Sequence, residues 1–326
     1  MRPEHLQSSY SSSPVDAPGQ TSDNLMLSPY RHRAMSALEK IFVLGQYALP
    51  HHPLSRLMGQ LTHCQRPMVK NLFIRAITRA YGINLEEAQE PDYRKYGCFN
   101  EFFTRPLKPE ARPIDTTPNA LVSPADGYLS QAGRIEAGRL IQAKGMDYSV
   151  ETLLGGNPER AAPFVGGQFA TIYLSPRDYH RLHMPLAGEL REMVHIPGRL
   201  FSVNDATARG VPNLFARNER VAAIFATEAG PMALILIGAI FVASIETVWQ
   251  GIVTPPTTHG VKTWDYAPGA VKLGKGDEMG RFNMGSTIIV LFGPDAVEWS
   301  AALQPGAVMR MGGTMGRVQA IPATKS

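Results

Sequence analysis

The apolar residues of this 326-residue chain follow two different spacings, and the change between them strongly constrains the fold. Between residues 35 and 81, apolar side chains recur at helical spacing. Beyond residue 120 they form short β-branched runs bounded by glycine and proline, such as Phe169–Leu174 and Ala233–Ile237. Helices in one stretch and strands in another are typical of an α+β fold, which we predict here.

Three short helices are expected in the first region, because Pro50, Pro53 and Pro67 interrupt its apolar pattern. No acidic residue occurs between Glu39 and Glu86. Basic residues do occur there: Arg56, Arg66, Lys70, Arg75 and Arg79. Anionic lipid attracts such a surface by roughly 1 kcal/mol per basic residue, and apolar helix faces can enter the interface. We predict peripheral contact with an anionic membrane surface; the alternative is that these helices only pack on the core.

The remaining composition narrows the class of protein. The longest apolar run, Met232–Ile245, is shorter than the ~20 residues of a transmembrane helix, so buried strands with a turn at Gly238 are expected. Residues 1–34 are polar and lack the apolar core of a signal peptide, which predicts a disordered extension and a location on the cytoplasmic side of the cell membrane. Cys64 and Cys98 are too few for a disulfide framework. No nucleic-acid partner is expected, because the basic residues lie among aliphatic helices without a recognisable binding motif.

This pattern divides the chain into three parts. We predict a disordered polar extension over residues 1–34 and a helical, membrane-associating region over 35–95. A β-rich catalytic domain would follow over 96–326. With 44% apolar and 18% charged residues, the chain has ample material for a large core.

The segment Met284–Thr287 stands where a loop enters a buried strand, since the β-branched run Ile288–Phe292 follows it. Gly285 permits backbone conformations closed to other residues, so its carbonyl can be presented, even under strain, to the Ser286 hydroxyl. A glycine and serine at a strand entry most often form only a turn. A catalytic interpretation therefore needs support from elsewhere in the chain.

Two other segments supply that support. Asp126 lies in a Ser-Pro-Ala-Asp-Gly segment, and His180 and His183 share a His-x-x-His segment. A serine hydroxyl is a poor nucleophile until an imidazole takes its proton, and a carboxylate orients that imidazole. Asp126, His183 and Ser286 are therefore candidates for a catalytic triad.

Other interpretations of these residues exist. The spacing of His180 and His183 also suits a metal ion, but no cysteine or carboxylate cluster beside them completes a ligand shell, so no metal is predicted. A lone Asp-Gly pair such as Asp126 and Gly127 is most often a turn. A serine hydrolase also uses Asp, His and Ser. However, the chain has no G-x-S-x-G elbow, and a hydrolase would remain uncut before Ser286.

These segments, in this order, resemble those of bacterial phosphatidylserine decarboxylase proenzymes. The similarity extends from about Leu38 to Gly312. It includes further matches at consistent spacing: Phe99–Leu107, Gln142–Gly145, Ser202–Asn204, Val211–Arg220 and Ser244–Trp249. The chain departs from the family at Met284, where leucine is frequent, and in its first thirty-odd residues, which have no counterpart.

The resemblance implies that the chain cuts itself between Gly285 and Ser286. Ser286 would attack the Gly285 carbonyl and turn the peptide bond into an ester, and elimination and hydrolysis would leave a pyruvoyl group and ammonia. The products would be a β chain, residues 1–285, and an α chain, residues 286–326, that begins with the pyruvoyl group. This covalent cofactor would form a Schiff base with phosphatidylserine and accept the electron pair released with CO2, giving phosphatidylethanolamine.

The roles of the two histidines follow from the same resemblance and from imidazole chemistry. We assign His183, with Asp126, to the cleavage step, and His180 to substrate positioning and proton return. Three residues can bind a phosphate head group or only cap loops: Asn204, Arg217 and Asn218. The sequence is also compatible with a homodimer. A third alternative, a lipid-binding protein without catalytic activity, is disfavoured because all three segments are intact.

These assignments predict distinct outcomes for three substitutions. Ser286→Ala and His183→Ala should leave an uncut, inactive chain, whereas His180→Ala should be cut but turn over poorly. Intact-mass spectrometry measures cutting, and CO2 release from phosphatidylserine measures turnover. Equal failure of both histidine variants to be cut would contradict the division of roles.

Overall fold

The computed structural model describes residues 35–143, 145–242, 244–255, 260–285 and 287–319. The predicted disordered extension, residues 1–34, lies outside this part. The α-helices are α1 (Ala37–Ala48), α2 (His51–Thr62), α3 (Pro67–Tyr81), α4 (Phe99–Phe103), α5 (Val150–Leu153), α6 (Pro158–Ala161), α7 (Asp205–Gly210) and α8 (Leu214–Arg217).

The strands follow α4, and they confirm the predicted α+β class with amino-terminal helices and a β-rich remainder. They are β1 (Ala120–Val122), β2 (Gly127–Arg134), β3 (Arg139–Ala143), β4 (Met146–Ser149), β5 (Gln168–Tyr173), β6 (Arg181–His183), β7 (Gly188–Ile196), β8 (Arg220–Thr227), β9 (Gly230–Ile237), β10 (Ser244–Thr247), β11 (Gly251–Ile252), β12 (Lys262–Asp265), β13 (Lys272–Leu273), β14 (Glu278–Asn283), β15 (Thr287–Phe292), β16 (Val297–Trp299), β17 (Val308–Met309) and β18 (Thr314–Val318).

Local sequence signals set the ends of the first three helices. Ser36 and Glu39 form a capping box at the start of α1, each side chain accepting a hydrogen bond from the backbone N–H of the other. Pro67 is placed at the start of α3, and Gly82 ends that helix in the left-handed conformation. The three predicted helices are confirmed. The prediction that Pro53 separates two of them was wrong, because it lies in the first turn of α2, where its missing N–H is not needed.

A nine-stranded antiparallel sheet forms the centre of the protein. Its order is β12-β7-β8-β9-β15-β5-β2-β17, with β13 also pairing with β7. Strand β15 lies between β9 and β5, and Thr287 is aligned with Ile237 on one side and Tyr173 on the other. The expected strands on either side of Gly238 are confirmed as β9 and β10.

Both faces of this sheet are covered, which explains the uninterrupted apolar run of β15. Ile288, Val290 and Phe292 belong to one buried cluster, and Ile289 and Leu291 belong to another. Successive side chains of a strand point to opposite faces, so a strand buried on both sides needs apolar residues at every position.

The strand before the predicted cut belongs to a different sheet. A four-stranded sheet has the order β11-β10-β14-β6, a three-stranded sheet the order β1-β18-β16, and β3 pairs with β4. Because β14 and β15 are consecutive in the chain, residues 284–286 connect the four-stranded sheet to the nine-stranded one.

A third apolar cluster joins the amino-terminal helices to this connection. Ile74 of α3 packs with Phe99, Phe102 and Phe103 of α4, and Met284 lies against the same cluster. None of the helices in the described ranges combines the length and apolar character needed to cross a bilayer.

The buried side chain of Arg220, the first residue of β8, bonds to the ends of two short helices. The Arg220 guanidinium donates to the carbonyls of Leu153, Ala216 and Asn218 at 2.7, 2.7 and 2.8 Å, and to that of Thr152 at 2.6 Å. Burial lowers its pKa to about 10, which still leaves it charged at neutral pH. One cation therefore satisfies carbonyls that the short helices α5 and α8 leave open at their ends.

Candidate active site

Strand pairing brings the histidine segment beside the predicted cleavage site. Strand β6 lies antiparallel to β14, with His183 aligned with Glu278 and Arg181 with Arg281. The N–H of Phe282 donates to the His180 carbonyl at 3.1 Å. The sheet thus places both histidines next to the residues that precede Gly285.

Gly285 lies against the imidazole of His180. A Cβ atom added at Gly285 would stand 2.1 Å from His180 Nε2 and 2.6 Å from Cδ2, closer than any real contact. Gly285 does not adopt a left-handed φ, so that conformation is not the reason for a glycine at this position. Glycine is needed here because the imidazole occupies the space of a side chain.

The strained residue is instead Met284. Its φ is 88°, which is unfavourable for a residue with a side chain and costs on the order of 1–3 kcal/mol. Side-chain packing against the α3–α4 cluster accompanies this conformation. The strain lies immediately before Gly285; Ser286 itself is outside the described residues.

His180 is a buried, neutral imidazole with one free nitrogen. Its Nδ1 donates to the Asp178 carbonyl at 2.8 Å, and its Nε2 has no hydrogen-bond partner among the described residues. Burial, and next the charge of Arg105, lower the pKa of His180 to about 3. The Nε2 lone pair is therefore available beside Gly285 across the whole neutral range.

His183 is also neutral, but both of its ring nitrogens are occupied. Nδ1 lies 2.8 Å from the Gly276 carbonyl, to which it donates, so Nε2 accepts from the Tyr179 hydroxyl at 3.2 Å. Burial lowers the pKa of His183 and raises that of Tyr179 to about 12, which keeps the hydroxyl protonated. Any proton that reaches His183 Nε2 must displace Tyr179 or pass through its hydroxyl.

Asp126 is buried but is held by other groups. Arg112 Nε donates to both of its carboxylate oxygens at 2.9 Å, and the backbone N–H of Met311 donates to Oδ1 at 2.9 Å. Within the described ranges Asp126 makes no hydrogen bond to His183. The expected orienting contact is therefore corrected: the Gly276 carbonyl sets the His183 tautomer. The catalytic role of Asp126 stays a prediction.

A chain of amides holds the backbone before Met284, and sequence reasoning did not find it. Asn100 Nδ2 donates to Asn283 Oδ1 at 3.0 Å, and Asn283 Nδ2 donates to Ser244 Oγ at 2.5 Å. Asn283 is almost fully buried. One indication of these contacts was present in the sequence, because Asn100 and Ser244 lie at the start of two segments that resemble the family.

An ion-pair network supports the same strands. Arg181 donates from Nε to the Thr104 carbonyl at 2.8 Å and from Nη1 to Glu278 Oε2 at 2.8 Å. Arg281 Nη2 lies 2.8 Å from the other Glu278 oxygen. This network ties β6, β14 and the segment after α4 together around the two histidines.

Two of the three candidate phosphate ligands have structural roles. Asn204 caps α7 by accepting from the Thr207 N–H at 3.0 Å. Asn218 is fully buried and bonds to Phe201 N, Phe201 O and Gly238 O. Arg217 is exposed and lies over the Phe201 ring at 5.1 Å, whereas Asn204 is half-buried. In the part of the chain that is described, no group of three or more His, Cys, Asp or Glu residues could hold a metal ion.

Comparison with known proteins gives the family. The family model for phosphatidylserine decarboxylase matches residues 99–317, and one described as PSD matches residues 41–82. A phosphatidylserine decarboxylase proenzyme of Stutzerimonas stutzeri is 56% identical over 291 residues, covering 88% of this chain and 97% of the relative. Those of Ectopseudomonas mendocina and Pseudomonas fluorescens are 56% and 58% identical, over 86% and 85% of this chain and 99% and 97% of the relatives. The chain belongs to the phosphatidylserine decarboxylase family.

The buried His180 predicts a specific loss of stability in acid. Its pKa is about 3 in the folded chain and near 6.5 in the unfolded chain, so between those values only the unfolded chain binds the proton. The stability that depends on a neutral His180 is fully present above pH 6.5 and is lost as the pH decreases toward 3. His180→Gln, made in the uncut Ser286→Ala chain, removes this titrating group. The melting temperature of that variant should therefore depend less on pH between 3 and 6.5.

A matched control is His63→Gln, which removes an exposed histidine at the end of α2 and should keep the parent slope. Thermal unfolding of the full chain provides the measurement. Equal slopes for His180→Gln and the parent would contradict the neutral, buried state of His180.

Proposed function

We propose that this chain is a self-processing, pyruvoyl-dependent phosphatidylserine decarboxylase of phospholipid biosynthesis. The observation that carries the proposal is the free, buried Nε2 of His180 against Gly285, where the chain crosses between two sheets. Membership in the family supplies the substrate class, phosphatidylserine. A serine hydrolase would instead keep the bond between Gly285 and Ser286 intact.

For cleavage, the Ser286 hydroxyl attacks the Gly285 carbonyl carbon, and its proton passes to a neutral imidazole. We keep His183 as the acceptor, with Tyr179 as the hydroxyl through which the proton reaches Nε2. The strained φ of Met284 favours breaking the connection, because cutting allows that residue to relax. Asp126 acts at a distance, since its charge favours the protonated form of His183.

A pyruvoyl group at the start of the α chain supplies an electron sink that no standard side chain offers. The surroundings fit such a group, because the adjoining His180 is fully buried and its Nε2 is aimed at Gly285. In turnover, His180 Nε2, which is unprotonated at rest, would take a proton from the substrate ammonium and return it to the substrate after CO2 has left. The centroid of the Phe103 ring lies 4.0 Å from that of the His180 ring, so an apolar side chain covers this imidazole.

The amino-terminal helices are proposed to rest on an anionic membrane surface at the cytoplasmic side. Their outer faces expose large apolar residues that a water-facing helix would not carry: Leu38, Ile41, Leu44, Leu57, Met68 and Leu72. Arg56, Arg66, Arg75 and Arg79 are exposed and form no ion pair within the described residues. Lys70 does not belong to this surface, because it is buried and donates to the Arg94 carbonyl at 2.8 Å.

This placement suits a substrate that stays in the membrane. Helix α3 carries Met68 and Leu72 on its exposed side, and its buried Ile74 packs in the cluster that contacts Met284. Helix α3 thus lies between the proposed membrane surface and the cleavage site. A phospholipid head group can then reach the site while its acyl chains stay in the bilayer.

Intact-mass spectrometry of the denatured protein tests the proposed processing directly. We expect two fragments, residues 1–285 and 286–326, with a pyruvoyl group at the start of the smaller one. A Ser286→Ala chain is the matched control and should give a single mass. A single uncut chain from active wild-type protein would overturn the proposal and favour the hydrolase.

Membrane contact predicts that charge on the exposed face of α3 weakens vesicle binding. Met68→Glu and Leu72→Glu should each reduce partitioning about tenfold, since burying such a side chain contributes ~1.5–3 kcal/mol. Flotation with phosphatidylcholine vesicles containing phosphatidylglycerol is the measurement. Ile252→Glu, at an exposed residue of β11, is the control and should bind like wild type.

Unchanged binding of both α3 variants would contradict membrane contact. A second copy of this chain is the alternative partner for these apolar helix faces. Sedimentation of the same proteins without lipid tests for such a dimer. If the α3 substitutions convert a dimer to a monomer and leave vesicle binding intact, the apolar faces form a homodimer interface instead.

A further inference from the structure

A cavity of about 510 Å³ opens beside Asp126 and has no assigned role. Its lining extends from the end of α3, at Gly82, to β17. Seven of the lining residues are charged: Arg105, Arg112, Arg177, Arg310, Glu87, Asp126 and Asp178. Four arginines against three carboxylates leave an excess of one positive charge when all are ionised.

The carboxylates are already engaged by groups other than Arg105. Arg112 Nη2 lies 2.8 Å from Glu87 and 2.5 Å from Asp126. Asp178 accepts from the N–H and hydroxyl of Ser175, both at 2.7 Å. Their negative charge is therefore largely used in local contacts.

Arg105 is a buried cation without a direct ion-pair partner among the described residues, and Glu87 and Asp126 favour its charged form only from a longer distance. The residue is 3% exposed, and no carboxylate oxygen of the described residues lies within 4.0 Å of its guanidinium. Its Nε has no hydrogen-bond partner there, and Nη1 makes one long contact to the Phe102 carbonyl at 3.4 Å. The Phe102 ring, 5.4 Å away, offers only a weak cation–π attraction. An uncompensated buried charge costs several kcal/mol, so a native structure normally provides it with a partner.

The cavity lies at the edge of the sheet that carries the cleavage site. Val308, Tyr128, Tyr173 and Thr287 are aligned across four adjacent strands. Strands are ~4.8 Å apart, so the backbones of Tyr128 and Thr287 are separated by about 10 Å. The charge of Arg105 is also felt at His180, which places the cavity cation within electrostatic range of the reacting groups.

We propose that this cavity binds the phosphodiester of the phospholipid substrate, with Arg105 as its buried contact and Arg177 nearer the opening. This inference rests on the proposed function. The serine amine of the head group is only a few bonds from its phosphate, so an extended head group and an arginine side chain together span the ~10 Å between site and cavity. Arginine suits the task because its planar donors match phosphate oxygens in pairs.

Substitution of Arg105 by methionine tests the contact. Arg105→Met should raise the KM for phosphatidylserine about tenfold and change kcat little, since one phosphate contact is lost in substrate and transition state alike. Self-cleavage should be complete and the melting temperature no lower, because an unpaired buried charge is removed. Arg134→Met, at an exposed arginine outside the cavity, is the matched control and should keep the wild-type KM.

Arg177→Met provides a second measurement at a residue that is not fully buried. It should raise KM in the same direction and leave folding and cutting unchanged. An unaltered KM in both variants overturns the proposal. So does an Arg105→Met chain that fails to fold or cut, combined with a wild-type KM for Arg177→Met.

Product inhibition distinguishes phosphate from carboxylate as the ligand. Phosphatidylethanolamine keeps the phosphodiester but lacks the carboxylate, so Arg105→Met should weaken its inhibition by the same factor as it raises the substrate KM. An inhibition constant that stays at the wild-type value would assign Arg105 to the substrate carboxylate and overturn the phosphodiester assignment.

A binding measurement separates this inference from the proposed function. Inorganic phosphate should raise the melting temperature of wild type relative to chloride at equal ionic strength, and Arg105→Met should lose that shift. If wild type does not decarboxylate phosphatidylserine but keeps the Arg105-dependent shift, the function fails and the anion site stands. An active enzyme with neither a phosphate shift nor an Arg105 effect on KM overturns the anion site alone.

Discussion

The connection from β14 to β15 is the constraint on which the active region depends. Both strands are held independently, β14 between β6 and β10 and β15 between β9 and β5, so residues 284–286 must span the distance from one sheet to the other. A short connection with fixed ends concentrates strain, and the φ of 88° at Met284 shows where it lies. The same pairing would keep the two fragments together after a cut before Ser286, because β15, β17 and β18 each pair with strands from the other side of it.

Burial, rather than contact with a carboxylate, keeps the two histidines neutral. Backbone carbonyls of Asp178 and Gly276 accept from their Nδ1 atoms, which leaves the Nε2 lone pairs as the reactive positions. His180 presents its lone pair to Gly285, whereas that of His183 is held by Tyr179. Neutral, buried imidazoles suit proton acceptance during cleavage.

Much of the fold followed from local pattern. The helical spacing before residue 81 and the unbroken apolar run of β15 predicted the elements and the α+β class, because each depends on neighbouring residues alone. The segment that carries His180 and His183 was also found in advance. The pairing of Asp126 was not, since Arg112 competes for its carboxylate from a separate stretch of chain. For the same reason Lys70, which the sequence placed on a basic surface, and Asn218, a candidate phosphate ligand, are buried hydrogen-bonding groups.

The sequence by itself determined where the helices and strands lie and which segments carry reactive groups, because periodicity and residue chemistry are local properties. Its resemblance to a family gave the expected cut before Ser286. Only the tertiary structure decided which nitrogen faces Gly285, why that residue must be glycine, and that Arg105 is left without a direct ion-pair partner among the described residues. These outcomes depend on which residues from distant parts of the chain come into contact when the sheets assemble. Burial then matters because an unpaired charge or lone pair away from water costs free energy.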